Sequence, residues 1–188
     1  MFWASYVVLW VVVVVQGVAL LLVLRHFGLA AIGTAAGHSR DGLGLGSRAP
    51  ALDGMDRDGR RTAWAADGTD AVLYFAAPGC EPCEAMAPLV NDLARRGRDR
   101  QLEVVVVAEG GPIENEHVSG LFPSATTVVS EAHDLFDRFL VRVTPFAFLV
   151  HDGEVAAKGV CSSPEGLAHL LESGGRADLA ATLTPRTT

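Results

Sequence analysis

The sequence predicts a mixed α/β domain carried behind one N-terminal membrane-spanning helix. Three observations predict this. The first 24 residues contain no Lys, Arg, Asp or Glu. Between Ala71 and Leu140, short β-branched apolar runs alternate with stretches of helical pattern. The domain then closes with two strand-like runs joined by Asp152-Gly153 and a last helix.

Phe2 to Leu24 would form a helix of ~34 Å, enough to cross a bilayer core. Trp3, Tyr6 and Trp10 suit one membrane interface, and Arg25 and His26 close the other end. A cleaved signal peptide would need a basic start and a shorter apolar core. Residues 1–27 are therefore read as an anchor that contacts membrane lipid, and 28–47 as a flexible Gly/Ala-rich linker. The domain is placed at 48–174 and a disordered tail at 175–188. Arg25, Arg40 and Arg48 follow the span, so the positive-inside rule taken alone would put the domain in the cytoplasm.

Within the domain, Ala49 to Met55 reads as extended and Asp58-Gly59 as a turn. Ala71 to Ala77 is a continuous apolar run of strand length, fit for a buried strand. Glu84 to Arg96 has helical pattern and stops at Gly97. Leu102 to Ala108, with four consecutive valines, is a second buried strand. Gly110-Gly111-Pro112 breaks the chain before a short helix, Ile113 to Leu121. Ala125 to Val129 reads as a strand and Glu131 to Leu140 as a helix. Phe146 to Val150 and Glu154 to Val160 form a hairpin around the Asp-Gly turn. Pro164 to Ser173 is the last helix, with Ser163 as its cap and Pro164 in its first turn.

The formal net charge of -7 argues against a nucleic-acid partner, which would call for a basic footprint. Arg95-Arg96-Gly97-Arg98 reads as a solvated helix end, where cations suit the negative end of the dipole. Three cysteines are too few for a disulfide framework. Two of them make the sequence's most informative motif, Cys80-Glu81-Pro82-Cys83. It follows a buried strand and opens a helix. Thiols at this spacing close a small reversible disulfide, and the free N–H groups of the helix end favour a thiolate at Cys80. A structural zinc site would need four ligands, and no second pair or closely spaced histidines are present, so no metal is expected. The redox-active disulfide itself is the only cofactor expected.

Pro88, five residues after Cys83 and inside the helix, and Thr144-Pro145, directly before Phe146, complete a pattern that resembles the thioredoxin fold. The resemblance implies a helix kinked at Pro88 and a cis Pro145 facing the disulfide. It also implies that the backbone of Thr144 offers hydrogen bonds to an extended substrate. Gly46-Ser47-Arg48-Ala49-Pro50, the anchor and the extra chain between Gly110 and Ser130 are similar to membrane-tethered members, the TlpA-like and MauD-like (methylamine-utilisation) redoxins. Ala157-Lys158-Gly159 is similar to the MauD-like group. Gly79 stands where most thioredoxins have Trp, Tyr74 where many have a buried Asp, and Met86 where some tethered reductases have an acid. The usual proton acceptor for Cys83 is thus not identifiable.

The resemblance implies a membrane-tethered thiol–disulfide oxidoreductase with its domain outside the cytoplasm, against the arginine bias. Glu81 adds negative charge beside the Cys80 thiolate, which favours the disulfide and hence a reductase of protein disulfides. Such a reductase implies a transmembrane electron donor. The alternative is a tethered maturation chaperone or copper-handling module using the same face. Cys161 reads as a half-buried small residue.

Overall fold

The computed structural model describes residues 3, 6, 10, 12–18, 41–65, 68–130 and 134–183. The chain divides into two units, Met1–Arg40 and Asp41–Thr188. In the first, the described residues are helical, and Tyr6 and Trp10 meet edge-on with ring centroids 6.3 Å apart. Among the described residues no helix is long and apolar enough to cross a membrane. Much of the expected span, and the expected linker from 28 to 40, lie outside the described residues.

The second unit is built on a seven-stranded sheet in the order β2-β1-β5-β4-β3-β6-β7. The strands are β1 (Leu52–Met55), β2 (Arg61–Trp64), β3 (Asp70–Phe75), β4 (Leu102–Glu109), β5 (Thr126–Ser130), β6 (Phe146–His151) and β7 (Glu154–Val160). β3, β4 and β5 run parallel, β6 pairs antiparallel with β3, and β7 pairs antiparallel with β6. The helices are α1 (Glu81–Arg98), α2 (Pro112–Leu121), α3 (Asp134–Arg138), α4 (Pro164–Ser173) and α5 (Ala177–Leu183).

Burial on both faces explains the valine-rich β4. Because side chains alternate along a strand, each central strand feeds two cores. Val72, Tyr74 and Ala76 join Val104 and Val106 in one, with Cys83, Val90 and Leu93 of α1 and Leu167 and Leu171 of α4. Leu73 and Phe75 join Val105 and Val107 in the other, with Phe139, Phe146 and Phe148. The Phe75 ring lies 5.1 Å from that of Phe139 and 5.7 Å from that of Phe148. Asn91 fixes α1 to the next loop: its amide donates to Ala87 O and Leu121 O, and its oxygen accepts from Ser124 N, all within 2.9 Å.

The α1 helix runs Glu81–Arg98, through the Gly97 expected to stop it, and three further differences from expectation bear on the extent of the domain. The domain begins at Asp41 rather than Arg48. Gly42 N donates to Leu140 O at 2.9 Å, Leu43 N to Phe139 O at 3.0 Å and Gly46 N to Val155 O at 2.9 Å. The Lys158 ammonium donates to Asp41 O at 2.7 Å and Gly42 O at 3.0 Å. The Gly-Leu-Gly run resembles a linker in composition, but Gly42 has φ +73°, and a Cβ there would strike Phe148 at 2.7 Å. Second, the tail expected to be disordered contains α5, whose Leu179, Ala180 and Leu183 are buried in the α1 and α4 core. Seven residues give little helical signal alone; packing supplies the stability. Third, β2 pairs antiparallel with β1 around a turn in which Asp56 Oδ1 accepts from Asp58 N and Arg60 N.

Candidate active site

The site lies at the end of β3. Ala76 N still bonds to Val107 O at 2.9 Å, after which Ala77-Pro78-Gly79 leads into α1. Gly79 has φ +70°, a left-handed turn that a side chain would disfavour, which accounts for glycine before the first cysteine. Cys80 is the N-cap of α1, and Cys83 N donates to Cys80 Sγ at 3.2 Å. When the bridge is open, that N–H and the dipole of an 18-residue helix stabilise negative charge on Cys80. Pro82 sits in the first turn, where a missing N–H costs nothing. Pro88 lies inside the helix, which continues through it to Arg98.

Cys80 and Cys83 form a disulfide with S–S 2.01 Å and Cα–Cα 5.2 Å. The two sulfurs differ in access. Cys83 is 2% exposed, whereas Cys80 is only partly buried. Exchange requires approach to the sulfur under attack, so this asymmetry makes Cys80 the sulfur that meets an external thiol or disulfide. Glu81 and Glu84 are exposed carboxylates in the first turn.

Register brings the second predicted element to the same end. Phe75 of β3 pairs with Phe146 of β6, so the loop holding Cys80 and the residues before Phe146 share one end of the sheet. The Thr144–Pro145 peptide bond is cis. Pro145 is buried and Thr144 half-buried. Pro145 O accepts from Cys161 N at 3.1 Å.

Two groups under this end were not foreseen as neighbours. Cys161, expected to be half-buried, is wholly buried, and burial pushes its thiol up to about 12. Its thiol makes only a 3.7 Å contact with Gly159 O. The Tyr74 hydroxyl is buried with no hydrogen-bond partner, and burial, then the nearby Cys161, drives it far above the usual phenol range. Glu84 and His117 lie 3.5 Å apart. They are distant in sequence, and no spacing rule links them. Among the described residues no cluster of three or more His, Cys, Asp or Glu could hold a metal ion.

No family model matches the sequence. The methylamine utilization protein MauD of Methylorubrum extorquens is 28% identical, over 90% of this chain and 85% of that protein. MauD of Paracoccus denitrificans is 29% identical, over 90% and 87%. The chain is MauD-like. Among solved structures, the thioredoxin domain of a Bacteroides vulgatus thiol-disulfide oxidoreductase matches with TM-score 0.56 and 22% identity, over 62% of this chain and 88% of that one. A protein assigned as the thiol:disulfide interchange protein DsbE from Chlorobium tepidum matches with TM-score 0.58 and 18% identity, over 75% and 98%. At these identities the structures establish a thioredoxin fold. With a Cys-x-x-Cys disulfide capping the first helix after β3, this MauD-like chain is a thioredoxin-like thiol–disulfide oxidoreductase.

Proposed function

We propose that the chain is a membrane-tethered reductase of protein disulfides, working on the extracytoplasmic side through the Cys80–Cys83 dithiol. The observation that carries the chemistry is the unequal exposure of the two sulfurs at the head of α1. The charge-free apolar stretch Phe2 to Leu24 supports the tether.

In the reduced protein the Cys80 thiolate attacks one sulfur of a substrate disulfide. A mixed disulfide forms and the other substrate sulfur leaves as a thiolate, which takes a proton from water. The Cys83 thiolate then attacks Cys80 Sγ and expels the second substrate sulfur. Two electrons have passed from the dithiol to the substrate, and the Cys80–Cys83 disulfide remains. A transmembrane dithiol donor returns two electrons and closes the cycle. The cis Pro145 loop, at the same end of the sheet as Cys80, is where an extended substrate strand would add through the backbone of Thr144. No further cofactor enters these steps.

Thiol trapping of the full-length chain across a redox buffer series tests the direction. A reduction potential near about -270 mV is expected of a reductase, and one near about -120 mV would make the chain an oxidase. Cys83→Ser should accumulate mixed disulfides with its substrate, whereas Cys80→Ser should form none. A Cys83→Ser chain that traps nothing would sink the mechanism. Protease accessibility of the domain in sealed vesicles checks the side of the membrane.

A further inference from the structure

The α2 helix carries a feature that its own packing does not use. Its sequence, PIENEHVSGL, buries Val118 in the core. Ile113, one turn before His117, points outward and is 80% exposed, more than any other large apolar side chain described in the domain. Ile113, Glu116, His117, Gly120 and Leu121 line a shallow groove of about 430 Å³. A Cβ at Gly120 would meet nothing within 4 Å, so the floor is open.

The groove is coupled to the disulfide by two short links. Glu84 N donates to Cys80 O at 3.1 Å, and the Glu84 carboxylate meets the His117 ring at 3.5 Å. Topology agrees: β4 lies beside β3 and runs parallel to it, so the start of α2 and the start of α1 rise from the same end of the sheet. The rim is acidic. Glu116 lines the groove, the exposed Glu84 reaches it through His117, and no Lys or Arg lines it. Arg57 lines a neighbouring pocket that shares Glu116 and Gly120 with this groove, and its guanidinium is held by Phe122 O and Pro123 O.

We infer that this groove seats a segment of the substrate protein in which an apolar side chain and a Lys or Arg lie close to the disulfide to be exchanged. The inference rests on the thiol–disulfide reading above and adds the class of substrate. Ile113 and Leu121 offer an apolar floor, and the Glu84 and Glu116 carboxylates complement a cation. A second copy of this chain fits poorly, because it would bring an acidic protein, net charge -7, to an acidic rim.

The test uses the pre-reduced full-length chain in detergent and three cystine-bridged peptides that differ only beside the cystine: Leu with Lys, Ser with Lys, and Leu with Glu. Acid-quenched rates are scaled to those for hydroxyethyl disulfide. The Leu/Lys peptide should react about tenfold faster than Leu/Glu at low salt, with the gap narrowing as salt rises. Ile113→Ser should remove the advantage of Leu over Ser. Glu116→Lys should shrink or invert the preference for Lys, with Glu116→Gln between. Equal rates for the three peptides, or preferences that survive both substitutions, would overturn the inference while leaving the exchange chemistry standing. A dimer in sedimentation that Ile113→Ser dissolves would overturn it in favour of self-association. Failure to reduce hydroxyethyl disulfide would remove the inference and the proposed function together.

Discussion

Cys161 donates its backbone N–H to the carbonyl of Pro145 at 3.1 Å, tying the unpaired cysteine to the proline that opens β6. With no exposed surface and a thiol pushed up to about 12, it is a poor nucleophile. Iodoacetamide at pH 8 should therefore label one cysteine, Cys80, in the reduced native protein and all three after denaturation, as counted by mass spectrometry. Native labelling of Cys161 at a rate near that of Cys80 would contradict this assignment.

Tyr74 buries a hydroxyl that finds no acceptor. An unmet buried donor costs about 1–3 kcal/mol, whereas the ring keeps its packing 5.8 Å from Phe122 whether or not the oxygen is there. Tyr74→Phe should raise stability by about 1 kcal/mol, read as a higher urea midpoint at unchanged slope. A loss of stability would mean that the hydroxyl has a partner.

At the opposite end of the sheet, His151 Nδ1 meets Asp70 at 2.6 Å and Arg176 donates to the other Asp70 oxygen at 2.9 Å. The hydrogen bond to Asp70, then its charge and that of Asp152, raise the His151 pKa above 6.5, with Arg176 opposing. A raised folded value makes this contribution fully present below the unfolded value near 6.5 and lost as pH climbs through the folded one. The Tm gap between the native chain and His151→Gln should thus be widest near pH 5.5 and close in alkaline buffer. Because the ring is exposed, added salt should narrow it. A gap that grows with pH would refute the pairing.

Leu179 of α5 is fully buried. Leu179→Ala should cost about 3 kcal/mol, the scale of a core leucine truncation. A cost under about 0.5 kcal/mol, typical of an exposed site, would show that α5 does not pack on the domain.

How much of this could be read from the chain varies with the range of the interaction. The α4 helix, with Pro164 in its first turn and Ser163 Oγ accepting from Gly166 N, matches its sequence signals because those signals are local. The β6–β7 hairpin does so too, since Asp152 and Gly153 take the positive φ that the turn needs. The Cys-x-x-Cys bridge was equally visible. Segments stabilised by distant partners were not. β2 is four residues of mixed polarity, held by pairing with β1 and by Trp64 Nε1 donating to Glu103 at 2.8 Å. The meeting of Glu84 with His117 and the stranding of the Tyr74 hydroxyl follow from how α1 and α2 pack on the sheet. No periodicity encodes either one.

The Lys158 amine bears on how a soluble version of the domain should be cut. Burial lowers its pKa, Asp41 opposes that shift, and the carbonyls of Asp41 and Gly42 accept its protons. A fragment starting at Arg48 would remove both acceptors and uncover the Phe146 and Phe148 rings that Gly42 covers. Those seven residues act as a stopper over the hairpin, and any shortened form should retain them.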